Sequence, residues 1–575
     1  MKNEKFGLRH FLPAALLLLA GGFAACSSDN EELTNEEAPG VSTLTMRASV
    51  AKGDSKVVYE DDDVADKTYL YWSDGDAYTL HWETSDEHVY TFTETNATGA
   101  SGLADFAYTG TLPSIPSGTT IRAFYPAKDL PASASSVTMD FSTQAGTSVG
   151  LGAYNLMEAV HVLEAGESLE SVNLSFRHAV AIVRLKLTHE AFKSAAVTSV
   201  TFRAAGLTSK ATYTPGATVG GGTWAAAPGS TSAVTATGPF TGDASGTVTV
   251  YLALPTGVAL SDCRVTAVCG NTVYETSLGG KTLEAGKLYR VAKDDMTPSA
   301  IAYITNPAQA RKGDLALDDG TFLANSVFTG MSTAEQAVLK SRVRGIVFWT
   351  TADTDLTDAN RQTPAKLSDD KVMAADYPGC THGLIVSLTD VSAGTKWQVT
   401  LASVEAFRNG GNFTDANKNK YQSIATSDDT PTSQINTILG YQQTKLLRAY
   451  NASLLESESD KKVLPVSLLD AFSNANPAPL NTTGWFIPSP KELHLLCYKD
   501  VDDVYAARGE SYTETRDAMN GLLETLGKEK ISSYVYWSSS ENLAQNAWYV
   551  QFQKAIVSYL YKTNYEFRVR AICAF

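Results

Sequence analysis

Short runs of alternating apolar and polar residues, broken by turn formers roughly every 8–12 residues, fill the first half of this chain and confine it to a β-rich fold. Thr43-Leu44-Thr45-Met46-Arg47-Ala48-Ser49-Val50 places Leu44, Met46, Ala48 and Val50 on one side of an extended backbone, because successive strand side chains point to opposite faces. Val57-Val58-Tyr59 and residues 69–72, 78–82, 89–92 and 121–125 continue the series. A second series starts at Val172 and runs through 197–202, 248–254, 263–268 and 289–291. Its opening run, 174–187, changes inward parity between Ile182 and Val183, the pattern expected of a β-bulge. The two series predict two β-sandwich units, 41–170 and 171–296.

From about residue 297 the texture changes. Ser332-Thr333-Ala334-Glu335 and Ser489-Pro490-Lys491-Glu492 are capping boxes, the second with proline at the first helical position. Leu493, Leu496 and Cys497 then share an apolar face, and Asp319-Gly320 between 315–317 and 322–323 is a two-residue hairpin turn. Residues 297–575 therefore predict a separate α+β domain, and 575 residues are ample for several domains.

The N-terminus reads as an export signal. Lys2, Lys5 and Arg9 precede an apolar run from Phe11 to Ala20, and Phe23-Ala24-Ala25 leads into Cys26. This order predicts a lipoprotein signal peptide over 1–25, lipidation (palmitate) of Cys26 and an acidic tether over 26–40. Acyl chains would anchor the chain rather than span the outer membrane, and no later apolar run has the roughly 18 residues of a transmembrane helix. The net charge of −16, without a long Lys/Arg cluster, points away from nucleic acid as a partner. Cys263 and Cys269 stand about 20 Å apart on a straight strand, too far to bridge. Cys497 with Cys573 is the one pair to consider.

The chain carries no Walker loop and no HExxH spacing. Its sequence therefore predicts no enzyme, no cofactor and no metal site. His178 and His382 lie in apolar stretches and read as hydrogen-bonded structural residues. Asp353, Asp355 and Asp358 lack the glycine and final glutamate of a calcium loop and read as solvated, as does Glu60-Asp61-Asp62-Asp63. Trp485, Trp537 and Trp548 read as core. The polar insertions 350–380 and 408–432 are the places for a ligand face, with no single ligand-binding residue identifiable.

The first 296 residues resemble the fimbrillin (Mfa-like) family of lipoprotein-derived pilus subunits. The resemblance rests on Trp72-Ser73-Asp74-Gly75-Asp76, Ala123-Phe124-Tyr125-Pro126, Leu174-Ser175-Phe176-Arg177-His178-Ala179, Leu252-Ala253-Leu254-Pro255 and the run from Leu283 to Tyr289. It implies two tandem transthyretin-like β-sandwiches and cleavage between Arg47 and Ala48 by an arginine-specific maturation protease. That cut would release the lipidated first strand and leave a groove, which a fimbrial stalk subunit's strand would fill by donor-strand exchange. Read without the family, Arg47 is an ordinary exposed strand arginine. Residues 310–575 resemble the C-type-lectin-like "major paralogous" domain through Gly484-Trp485-Phe486-Ile487-Pro488-Ser489, Tyr536-Trp537-Ser538-Ser539-Ser540-Glu541, Ala547-Trp548-Tyr549-Val550 and Arg568-Val569-Arg570-Ala571-Ile572.

After Lys293-Asp294-Asp295 the chain enters a whole domain instead of a free extended segment, and its last run alternates Phe567, Val569, Ala571, Cys573 and Phe575 on one face. A subunit that accepts a strand without donating one implies a fimbrial tip adhesin, whose head contacts a glycan or protein ligand on a host or bacterial surface. The alternative is a membrane-anchored surface lipoprotein that binds such a ligand without polymerising.

Overall fold

The computed structural model of the chain describes residues 43–50, 60–62, 67–69, 72, 75–82, 90–97, 103–110, 114–127, 136–216, 219, 221–353, 364–425, 434–505 and 508–575. The signal peptide, Cys26, the tether, the run Val57-Val58-Tyr59 and most of the acidic stretch 353–358 lie outside these residues. Glu60–Asp62 forms a short strand against Lys67–Tyr69.

The fold is mainly β up to about residue 300 and α+β beyond it. In the first unit seven strands close on themselves in the order Thr43–Val50, Asn173–His178, Met157–Val162, Thr120–Tyr125, Ala77–Trp82, Tyr90–Ala97 and Leu103–Thr109. An aromatic cluster fills the ring: Trp72 meets Phe106, Tyr125 and Phe176 edge-on at 5.0, 5.4 and 5.6 Å, and Tyr78 stacks on Phe92 at 5.3 Å. Edge-to-face contacts of this kind add to the burial of the rings themselves.

The second unit packs a three-stranded sheet (Thr247–Pro255, Val180–Thr188, Leu288–Lys293) near a seven-stranded one centred on Val197–Ala205 and Ala259–Cys269. Strands cross the 170/171 boundary in both directions. Asn173–His178 pairs within the first ring, while Thr143–Gln144 joins the second unit's sheet. No bulge interrupts the register of Val180–Thr188 with Thr247–Pro255. The parity change instead reflects a passage from one sheet to another at Ala179 and burial of both faces of the second strand. A single continuous core runs through both units, from Met46 to Met296.

The C-terminal region is built on a nine-stranded sheet, in the order Tyr303–Ile304, Phe322–Leu323, Leu315–Leu317, Val343–Thr350, Gly383–Thr395, Phe567–Ala574, Val535–Asn542, Asn546–Gln551 and Ile556–Tyr561. Helices Pro490–Cys497 and Glu514–Leu526 pack on one face. Gly440–Ser453 and Leu464–Ala475 pack on the other. Both capping boxes form, with Ser332 and Ser489 at the N-caps, and Gly320 takes φ +81° in the predicted hairpin. Val569, Ala571, Cys573 and Phe575 share one face as the alternation requires. Cys497 belongs to the core on the opposite face, so it does not meet Cys573; both thiols are free, as are Cys263, Cys269 and Cys380.

Candidate functional site

The first strand, Thr43–Val50, is seated between two neighbours that do not overlap along its whole length. Leu103–Thr109 pairs with it antiparallel from Thr43 to Ser49, and Asn173–His178 pairs parallel from Arg47 to Val50. The Arg47–Ala48 bond thus lies where the backbone is held on both sides. Met46 and Ala48 are fully buried, against flanking strands that carry Phe106 and Phe176 into the same core. Arg47 points outward with 61% of its side chain exposed, and its Nε donates to Asp105 Oδ1 at 3.0 Å. Such a pair contributes little in water. The strand thus sets apolar side chains into the core, keeps Arg47 toward solvent and makes ladder bonds along both edges.

Every tryptophan assigned to the core is there: Trp485, Trp537 and Trp548 are buried. Trp537 Nε1 donates to Thr395 O at 2.8 Å and Trp485 Nε1 to Asn476 O at 2.7 Å. His178 is buried, with Nδ1 2.7 Å from Asn155 Oδ1, and burial lowers its pKa to about 3. His382 instead stands just before the strand Gly383–Thr395, half-buried, its backbone N–H donating to Phe575 O at 2.9 Å.

The two polar insertions meet. Asp376, from the first, accepts hydrogen bonds from Tyr441 OH at 2.9 Å and Lys445 Nζ at 2.7 Å. Asn417, from the second, donates to Asp376 Oδ1 at 3.2 Å, and Asp415 accepts from Tyr421 OH at 3.0 Å. Helix Gly440–Ser453 supplies Lys445 between the two carboxylates; burial lowers its pKa, but Asp376 and Asp415 outweigh that and hold it above the usual value. Tyr377 stands partly exposed beside Tyr441. Among the described residues no group of three or more His, Cys, Asp or Glu could hold a metal ion, and no helix is long and apolar enough to cross a membrane.

Sequence reasoning missed the junction with the head. Arg203, on the strand Val197–Ala205, forms a two-pronged contact with Asp318, Nη1–Oδ2 2.6 Å and Nη2–Oδ1 2.7 Å. Arg342 grips Asp319 from the other side and donates from Nη1 to Tyr303 OH at 2.9 Å. Burial favours the neutral form of Asp319, but Arg342 and Arg203 outweigh it and depress its pKa to about 2. The Asp-Asp-Gly-Thr run was legible as a turn; nothing in its spacing named the arginine more than a hundred residues upstream.

Residues 51–293 match the model of the fimbrillin-like family. A curated relative, "Putative fimbrium tip subunit Fim1C" of Bacteroides ovatus, is 26% identical over 251 residues, 42% of this chain and 41% of the relative. The match therefore spans about two fifths of the relative's length. A crystal structure of a fimbrial protein from Bacteroides ovatus aligns over 92% of this chain and 98% of its own at 16% identity, with a TM-score of 0.39. The tip fimbrial protein Mfa3 from Porphyromonas gingivalis, C-terminally truncated, aligns over 45% of this chain and 98% of its own at 10% identity, with a TM-score of 0.24. Scores below 0.5 do not establish a common fold. The matched family and the curated relative are fimbrial proteins, not enzymes.

Proposed function

We propose that this chain is the tip adhesin of a lipoprotein-derived fimbria. Anchored in the outer membrane through Cys26, it reaches the cell surface, is cut between Arg47 and Ala48 by an arginine-specific protease, and receives a stalk subunit's strand in the seat of Thr43–Val50. The observation that carries this reading is that seat, with inward knobs at Met46 and Ala48 and the exposed Arg47 between them. A cut there divides eight residues into five and three, fragments too short to hold a place that a continuous donor strand can fill.

The region after the second unit is a folded head whose strands pair with one another, which suits an end position. Its fold is C-type-lectin-like and that of the preceding units transthyretin-like. The joined insertions around Asp376, Asp415, Asn417 and Tyr377 are its contact surface for a glycan or protein ligand. The fimbrillin-like match and the similarity to a putative fimbrium tip subunit support the assignment.

Incubation of the purified chain with an arginine-specific protease, followed by N-terminal sequencing, should give a new terminus at Ala48, and the product should then capture stalk subunit. An uncut, lipid-bearing protein that binds ligand in place would replace this reading with the non-polymerising lipoprotein. Glycan and matrix-protein arrays, with and without calcium chelation, test the head.

A further inference from the structure

A cavity of about 80 Å³ opens at the junction between the second unit and the head, lined from one side by Arg203, Lys210, Ser209 and Thr231 and from the other by Asp318 and Arg344. One water needs about 10–15 Å³ by this measure, so the space takes a group of several heavy atoms. Its charges do not balance. Arg203, Lys210 and Arg344 line it against the single carboxylate of Asp318, and with the ion-pair partners behind them, Arg342, Asp319 and Asp140, the seam holds four cationic groups against three carboxylates. Asp318 is already held by Arg203 at 2.6 Å and by Arg342 at 3.4 Å, which leaves Arg344 Nη2 at 3.7 Å from it. Arg203 Nε is buried without a hydrogen-bond partner. An orphaned charged donor in a low-dielectric seam is costly.

We propose that this cavity binds a small oxyanion, a sulfate, phosphate or carboxylate group, which neutralises the excess charge and bridges the fimbrillin-like units to the head. Arg344, whose Nη1 also donates to Ser341 O at 2.8 Å, and Lys210, 3.1 Å from Asp140, are the lining cations that would turn toward it, and the hydroxyls of Ser209 and Thr231, now bonded to each other at 3.0 Å, supply further donors. The carboxylate of Asp318 on the same wall is tolerated because two guanidinium groups already face it. This assignment stands on the junction alone and does not require strand exchange.

The test uses the full chain at fixed pH and ionic strength, titrated with inorganic sulfate and with phosphate against chloride and followed by calorimetry and melting temperature. The expected result is one-to-one binding and a rise in melting temperature with the oxyanions. Lys210→Gln and Arg344→Gln should each weaken binding about tenfold or more, and the double variant should abolish it. Sulfate also stabilises proteins generally by exclusion from their surface, so a rise that persists undiminished in the double variant overturns the proposal, as does a rise no larger than chloride's. Competition by a sulfated disaccharide would identify the oxyanion as part of a larger ligand. Failure to compete would identify a free structural ion; both results keep the site.

Discussion

Glu492 shows how one buried side chain ties the head's stability to pH. Its Oε2 accepts backbone N–H groups from Ser489 at 2.6 Å and Gly440 at 3.1 Å, bonds that favour the anion. Burial outweighs them, helped by the nearby Asp370, and pushes the carboxyl up to about 8. Burial also raises Asp370, to about 6. A carboxyl whose pKa is higher folded than unfolded keeps more protons in the folded state, so its stabilisation is complete below the unfolded value of about 4.3 and is lost as pH rises through the folded one. The head should therefore lose melting temperature between about pH 5 and pH 8, and Glu492→Gln should flatten the upper part of that decline. A variant profile parallel to the parent's would refute it. At Gly229 the constraint is spatial: φ is +77°, and an added Cβ would lie 1.6 Å from the carbonyl oxygen of Asn474, at the end of a head helix. Gly229→Ala should cost more than the roughly 1–2 kcal/mol of the left-handed backbone alone, measured by denaturant unfolding.

At the scale of elements, the first strand's pairing sets its own protease sensitivity. A protease holds its substrate extended, and the Arg47–Ala48 backbone is already paired on two sides. The proposed cleavage would have to follow release of the strand. Met46→Asp, which places a carboxylate in the closed ring, should loosen the strand and speed cutting at Arg47, read by gel and N-terminal sequencing; an unchanged rate would mean the bond is cut as it stands. This strand was legible in the sequence because one face is core and the other solvent, so Leu44, Met46 and Ala48 kept a clean period of two. Val180–Thr188 was not, because burial on both faces erases that alternation and imitates a bulge. The capping boxes, the Asp319-Gly320 turn and the core tryptophans were readable because each follows from local chemistry or sheer size. The seam of Arg203 with Asp318, and the meeting of Asp376 with Asn417, depend on long-range placement that no local pattern encodes.

Over the whole molecule, cores and sequence units do not coincide. Two strand series suggested two sandwiches, yet one apolar core runs from Met46 to Met296, and strands from each series complete the other's sheets. The head has cores of its own on the two faces of its sheet. Calorimetry of the full chain should accordingly resolve two cooperative transitions, one for residues 43–296 and one for the head; three would separate the two N-terminal units. The passage between the parts is short and stitched, since Thr297–Pro298 still pairs with Tyr274 and Glu275 while Tyr303–Ile304 already edges the head's sheet.

The seat of Thr43–Val50 also decides how a filament built through it would resist drag. A strand flanked on both edges and tugged along its own axis is loaded in shear, so its ladder bonds must rupture together instead of peeling one by one. Detachment of such a filament under flow would then follow the rate of that concerted event, which is governed by the unfolding barrier and not by equilibrium affinity.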